Sequence, residues 1–212
     1  MGQDTLSFHE ALRRVVRQSP DVILIGEMRD KESIAVAMSA ALTGHLVLAT
    51  VHTIDTTQTL QRIMAYFPEN MRSQVAVDLA LSLRGIVSQR LIPHKDGQGR
   101  AVACEVLTNT PAVSQLLKEM RYSEMEDLVR NSRTEDLYSF NQSLRRLENA
   151  GLIDREMAMA YSSNPDEYAL IAQGMSAGGV VEVAEQRVDE AAPDIKRLLQ
   201  LALSKGASDL HL

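Results

Sequence analysis

Residues 22–25, Val-Ile-Leu-Ile, leave this chain few choices of fold. Pro20-Asp21 marks a turn before the run and Gly26 ends it. An unbroken aliphatic run of this length, bounded by turn residues, reads as a short central strand of a parallel sheet covered on both faces. The sequence then turns ionic at once, with Glu27, Arg29 and Asp30. In open α/β sheets, ligands bind outside the carboxyl ends of the strands. A core strand with a charged, solvated end is the plain reading. A strand that delivers a carboxylate to a ligand is the sharper one.

The following residues build a unit around this strand. Asp30 is placed to cap a helix from Lys31 to about Leu42, whose Ala35, Ala37, Met38, Ala40 and Ala41 suit close packing on a sheet. Thr43-Gly44 ends it, and His45 to Val51 reads as a second buried parallel strand. The order strand, helix, strand implies a right-handed crossover. It sets His52 and Thr53 level with Glu27 on one sheet edge. An isolated histidine is more often a cap or core residue. At that edge, however, an imidazole can donate to a phosphate oxygen.

Upstream, Ser7 and Glu10 form a capping-box pattern for a helix carrying Phe8, Leu12, Val15 and Val16, with His9 on its exposed side. Downstream, helices are expected over Thr56 to Phe67 and Glu69 to Gly85. Arg62, Arg72 and Arg84 read as surface salt-bridge partners, worth about 0–1 kcal/mol each. Ile86 to Ile92 and Ala101 to Leu107 form a hairpin around a Gly-rich turn, which is no phosphate loop because Gly-Lys-Ser/Thr does not follow. Thr110-Pro111 opens a string of short helices, with starts at Ser139 or Ser143, Asp154 and Asn164-Pro165. Gly174 to about 192 is glycine-containing and acidic and reads as a flexible tether. Residues 195–203 carry apolar side chains at helical spacing.

Composition excludes several classes. A net charge of −6 and 4% aromatic residues argue against a phosphate-backbone or base-stacking partner, so no nucleic acid is expected. The single Cys104 permits no internal disulfide and suits a reducing compartment. No apolar run approaches the ~18 residues a membrane span requires, and the start is not a signal peptide. The expected location is cytoplasmic.

The whole string from Val16 to Asp30 resembles the signature of the secretion-type ATPases of type II secretion and type IV pili: aliphatic, Arg, two free positions, Pro-Asp, aliphatics, Gly-Glu-aliphatic-Arg-Asp. Thr43 to Thr53 resembles the histidine box of the same family, with both histidines present. Residues 2 to about 172 resemble its PilT/PilU retraction branch. Glu105 to Pro111 and Ser163 to Glu167 lean to the PilU side. The tetra-cysteine insertion of the type II secretion branch does not occur.

The resemblance implies a RecA-like parallel sheet with a C-terminal helical lobe, here without the P-loop part. It implies ATP and Mg²⁺ as cofactors. Glu27 is then the Walker B carboxylate, catalytic and holding Mg²⁺ through water, and His52 the γ-phosphate-side residue. His45, Arg29 and Thr53 support the nucleotide site. The implied assembly is a homo- or hetero-hexamer with PilT-like subunits. It would work on an inner-membrane pilus platform protein, peripheral to the membrane, and retract pili by disassembling pilin.

No Gly-x-x-x-x-Gly-Lys-Ser/Thr occurs in the 212 residues. The expected organisation is the C-terminal part of a RecA-like domain over 1–110, a helical lobe over 111–173, the tether over 174–192, and over 193–212 the start of a second family N-terminal domain. That last part rests on Gly206 to Leu212, which resembles the beginning of such motors. Two functions follow: the catalytic half of a retraction ATPase, inactive by itself, or a non-catalytic module that docks on a complete motor and modulates it. A nucleic-acid motor of related fold is disfavoured by charge.

Overall fold

The computed structural model describes residues 20–132, 134, 136–173, 175–176 and 179–180. The expected helix at Ser7 with His9, most of the tether, and the whole of 193–212 lie outside the described residues.

β1 (Val22–Ile25) and β2 (Leu46–Ala49) pair in parallel, Val22 opposite Leu46 and Ile25 opposite Ala49. α1 (Lys31–Leu42) connects them, and Asp30 caps it by accepting from the Ser33 N–H at 2.7 Å. Ala37 and Ala40 bring the helix close to Ile23 and Ile25, and these four form one small core. The expectation of cover on both faces fails here. Side chains alternate along a strand, so α1 buries Ile23 and Ile25 while Leu24 points the other way and is 75% exposed. The second strand is also shorter than the apolar run His45 to Val51, because its ladder ends at Ala49. Beyond it a single main-chain bond, Met28 N–H to the Thr50 carbonyl at 3.0 Å, still joins the two strand ends. Gly44, with φ of 103°, makes the sharp return from α1 that a side chain would oppose.

α2 (Thr56–Ala65) and α3 (Glu69–Ser82) follow, with Asp55 and Pro68 at their N-caps. α3 stops short of the expected Gly85. Leu83 is extended at φ −61° and ψ 134°, and Gly85 already pairs with Thr108. A Cβ at Gly85 would sit 3.1 Å from the Leu107 carbonyl oxygen, a tight contact that would push the paired strand back by a few tenths of an ångström. β3 (Gly85–Pro93) and β4 (Arg100–Thr108) form the expected hairpin, and β5 (Leu137–Tyr138) adds a short third strand beside β4.

Two larger cores meet on this hairpin. The first joins α1, α2 and α3 to Leu107, to α4 (Pro111–Lys118) and to α5 (Tyr122–Asn131), around Leu60, Val113, Leu117 and Met125. The second sets Ile92, Ala101 and Ala103 against α6 (Phe140–Asn149), α7 (Arg155–Tyr161) and α8 (Pro165–Ala172). Ser139, not Ser143, caps α6. It forms a reciprocal box with Gln142, while Ser143 is buried and accepts from the Cys104 N–H at 3.0 Å. Beyond α8, β6 (Met175–Ser176) pairs with β7 (Gly179–Val180).

The three arginines expected in surface salt bridges make none among the described residues. Arg72 donates to the Phe67 carbonyl at 3.1 Å, and Arg62 lies 6.0 Å from the Tyr66 ring centre. Arg62 and Arg72 thus find their contacts on their own stretch of chain. Among the described residues, no helix is long and apolar enough to cross a membrane.

Candidate functional site

The carboxyl ends of β1 and β2 are laced together. The Thr50 hydroxyl donates to the Gly26 carbonyl, and the Met28 N–H to the Thr50 carbonyl. This lacing sets the two following loops side by side. Glu27 and His52, 25 positions apart by number, therefore meet: His52 Nε2 lies 3.4 Å from Glu27 Oε1. Arg29 pairs with the other carboxylate oxygen. The Glu27 side chain is 22% exposed, against 76% for Arg29 and 80% for His52, so the carboxylate is the recessed member of the cluster. The Arg29 hydrogen bond holds the Glu27 carboxyl below the ordinary carboxylate range, against a smaller opposing effect of burial, and His52 adds to the lowering.

Two expected supporting residues lie elsewhere. Thr53 turns its hydroxyl to Thr59 on α2, 2.6 Å away. His45 precedes β2 and so sits at the opposite end of the sheet from Glu27. Its Nδ1 lies 3.0 Å from the Ala40 carbonyl and 3.2 Å from the Thr43 hydroxyl, closing the end of α1. A strand of four residues is about 13 Å long, so His45 and His52 face different ends of one short element.

A carboxylate held ionised beside an imidazole, at the open carboxyl edge of parallel strands, can orient a water molecule or order the water shell of a cation. Among the described residues no group of three or more His, Cys, Asp or Glu is arranged to hold a metal ion directly. Magnesium keeps most of its water and commonly takes only one or two carboxylates, and one recessed carboxylate fits that mode.

Arg29→Ala is expected to move Glu27 titration up toward the ordinary carboxylate value, read by ¹³C NMR of the Glu27 carboxyl. The sign follows from the lowered folded value. The cluster contributes stability above the unfolded carboxyl pKa and loses it as pH falls through the folded one, so wild type should retain this contribution to lower pH than the variant. Identical titrations would show that Arg29 does not hold Glu27.

Sequence reasoning missed Arg90 and Glu105. Both lie on inward-facing stretches of the hairpin, between the two cores. Glu105 borders a cavity of about 300 Å³ with Asn141, Asn164 and Glu167. Burial pushes its carboxyl up, opposed by hydrogen bonds from Thr56 and by the Phe140 main chain. The available signal was a charge at an inward position of each strand, where period-two patterning calls for an apolar residue.

Two parallel strands joined by a helix, with a carboxylate and a histidine at their carboxyl edge, define an α/β unit with a polar edge, and the family follows from comparison. The type II/IV secretion system protein family matches residues 1–178, and the chain belongs to it. It is 40% identical over 171 residues to the type IV pilus ATPase PilU of Pseudomonas aeruginosa, covering 81% of this chain and 45% of PilU. It is 39% identical over 166 residues to the type IV pilus retraction ATPase PilT of the same organism, covering 78% and 48%. A crystal structure of the pilus retraction motor PilT with bound ADP superposes with a TM-score of 0.70 at 42% identity, over 78% of this chain and 46% of that one. The ATPase DotB of Legionella pneumophila gives 0.66 at 27% identity, over 81% and 44%. The chain spans about half the length of the curated relatives it matches.

Proposed function

We propose that this chain supplies the Walker B and histidine-box edge of the nucleotide site in an ATP-driven motor for type IV pilus retraction. The observation that carries the reading is the Glu27–Arg29–His52 cluster at the carboxyl edge of two parallel strands. Glu27 would orient the attacking water and hold Mg²⁺ through its water shell. Arg29 keeps it ionised, and His52 faces the γ-phosphate. Magnesium would supply charge neutralisation between phosphates when bound. Thr53 supports the site indirectly, by anchoring the loop after His52 to α2. His45 supports it by fixing the start of β2.

The motor is a hexamer with PilT-like subunits. It acts at the cytoplasmic face of the inner membrane on a platform protein and draws pilin out of the fibre. The β- and γ-phosphates need a Gly-Lys-Ser/Thr loop, which these 212 residues do not contain. That observation favours one second reading, a non-catalytic module docked on a complete motor.

The two readings separate in a fusion of this chain to a P-loop-bearing segment of a PilT-type relative. ATP turnover by the fusion, with none from the 212-residue chain alone, is the expected result. A folded hexameric fusion without turnover would sink the catalytic reading, and turnover by the isolated chain that survives repeated purification and is lost in Glu27→Gln would overturn its inactivity by itself.

A further inference from the structure

The turn that follows His52 is held from outside its own sheet. Arg90, on β3, donates from Nη1 to the Tyr161 carbonyl at 3.0 Å and from Nη2 to the Ile54 carbonyl at 3.4 Å. Its guanidinium carbon lies 3.9 Å from the Phe140 ring centre. Glu105, on β4, accepts from the Thr56 N–H at 2.9 Å and the Thr56 hydroxyl at 2.8 Å. The Phe140 main chain also favours its charged form, and the two residues line one cavity. Arg90 and Glu105 therefore touch the same two places, the turn after His52 and the start of α6. They attract each other, and Asp55, the cap of α2, attracts Arg90 as well.

We propose that Arg90 and Glu105 are positioning residues for His52: they fix the 53–56 turn from the hairpin and couple it to α6 and the end of α7. The His52 ring is 80% exposed, so packing does not hold it in place. Its distance from Glu27 is set by where the main chain runs. On one side that chain is laced to β1 through Thr50. On the other side, within four residues, it meets Ile54 and Thr56, whose partners come from Arg90 and Glu105. Releasing these bonds frees the turn and lets His52 drift from Glu27.

The geometry also gives the turn a mechanical input. One planar guanidinium holds the Ile54 and Tyr161 carbonyls together, so a displacement of α7 is felt at the turn. Lysine, a point charge on a flexible stem, cannot hold two carbonyls and stack on a ring at once. The functional consequence rests on reading Glu27 and His52 as a nucleotide edge. The positioning itself is a property of this chain alone.

Hydrogen exchange of the full 212-residue chain tests this, comparing wild type with Arg90→Lys, Glu105→Gln and Thr56→Val. Peptides covering 52–57 should exchange about tenfold faster in Arg90→Lys and Glu105→Gln, the factor that one lost charged hydrogen bond makes in a local opening equilibrium. Peptides covering β1 and the middle of α6 should be unchanged. Thr56→Val removes only the hydroxyl and should give a smaller increase in the same peptide. Unchanged exchange at 52–57 overturns the proposal. So does an increase spread evenly over the β1–β2 pair and the β3–β4–β5 sheet, which would make these residues mere staples of the fold. If the Arg90 and Glu105 variants do not fold, Thr56→Val decides by itself, and no acceleration at 52–57 overturns the proposal.

In the fusion, Arg90→Lys should lower kcat while leaving KM for ATP unchanged. Local loosening at 52–57 combined with full turnover in His52→Ala would keep the positioning and sink the nucleotide reading. Unchanged exchange combined with an inactive His52→Ala would sink only the positioning.

Discussion

Glu27→Gln, in a motor that unites this chain with a P-loop, is expected to stop ATP hydrolysis while leaving ATP binding within a few-fold of wild type. The substitution keeps the shape of the side chain and removes its charge. A neutral amide accepts poorly from a water that must lose its proton, and it gives the Arg29 guanidinium a weaker partner. Preorganised charge around a transferring phosphoryl group is worth several kcal/mol, so the loss should be about 10²-fold to 10³-fold in turnover.

His52→Ala should slow turnover less and abolish motility, because in the proposed site the imidazole would face the γ-phosphate without carrying out the water activation. Thermal melts with and without ATP separate this from a structural role. If Glu27 and His52 only tie the sheet edge together, both variants will melt early and gain nothing from ATP. If the assignment is right, each should melt near wild type and gain a similar increment from saturating ATP, about 2.7 kcal/mol at a hundred times Kd. An early-melting Glu27→Gln protein with no ATP increment would end the catalytic assignment.

Phe140→Ala is expected to destabilise the chain by about 3–5 kcal/mol, among the largest losses a single truncation produces. Phe140 is 1% exposed. It packs in the core with Ile92, Ala103 and Leu144, and it begins α6 just after the Ser139 cap. Truncation leaves a cavity there and removes the ring on which Arg90 lies, so the packing loss carries a cation–π loss with it. Phe140→Leu should recover part of the stability by filling volume, but not the Arg90 stacking. Urea unfolding followed by circular dichroism gives both values. A loss under about 1 kcal/mol for Phe140→Ala would contradict the packing described here.

What was legible in the sequence is what neighbouring residues decide. The caps at Asp30, Thr110, Asp154 and Asn164 each accept from an N–H three residues on, so a short window contains the whole interaction, whereas the choice of Ser139 over Ser143 was left to the structure. The parallel pair and the hairpin were legible because aliphatic runs and turn residues have a fixed period. Glu27 and His52 could be assigned to one edge because the ends of two parallel strands joined by a helix must fall on the same side of the sheet.

Tertiary structure decided the rest. The end of α3 at Ser82 is set by Gly85 pairing with Thr108, a partner no local pattern reveals. The exposure of Leu24 depends on what lies across the sheet, and an aliphatic run reads the same with one face covered or two. His45 and His52 look equivalent in the string, yet the strand between them carries them to opposite ends. Arg90 and Glu105 act on a turn 36 and 49 positions away, so their partners exist only once the hairpin folds against α2 and α6. Local sequence fixes which groups can donate, accept or bury, but the closing of long loops determines which of them meet, and that closure is driven by the summed burial of both cores rather than by any pair of residues.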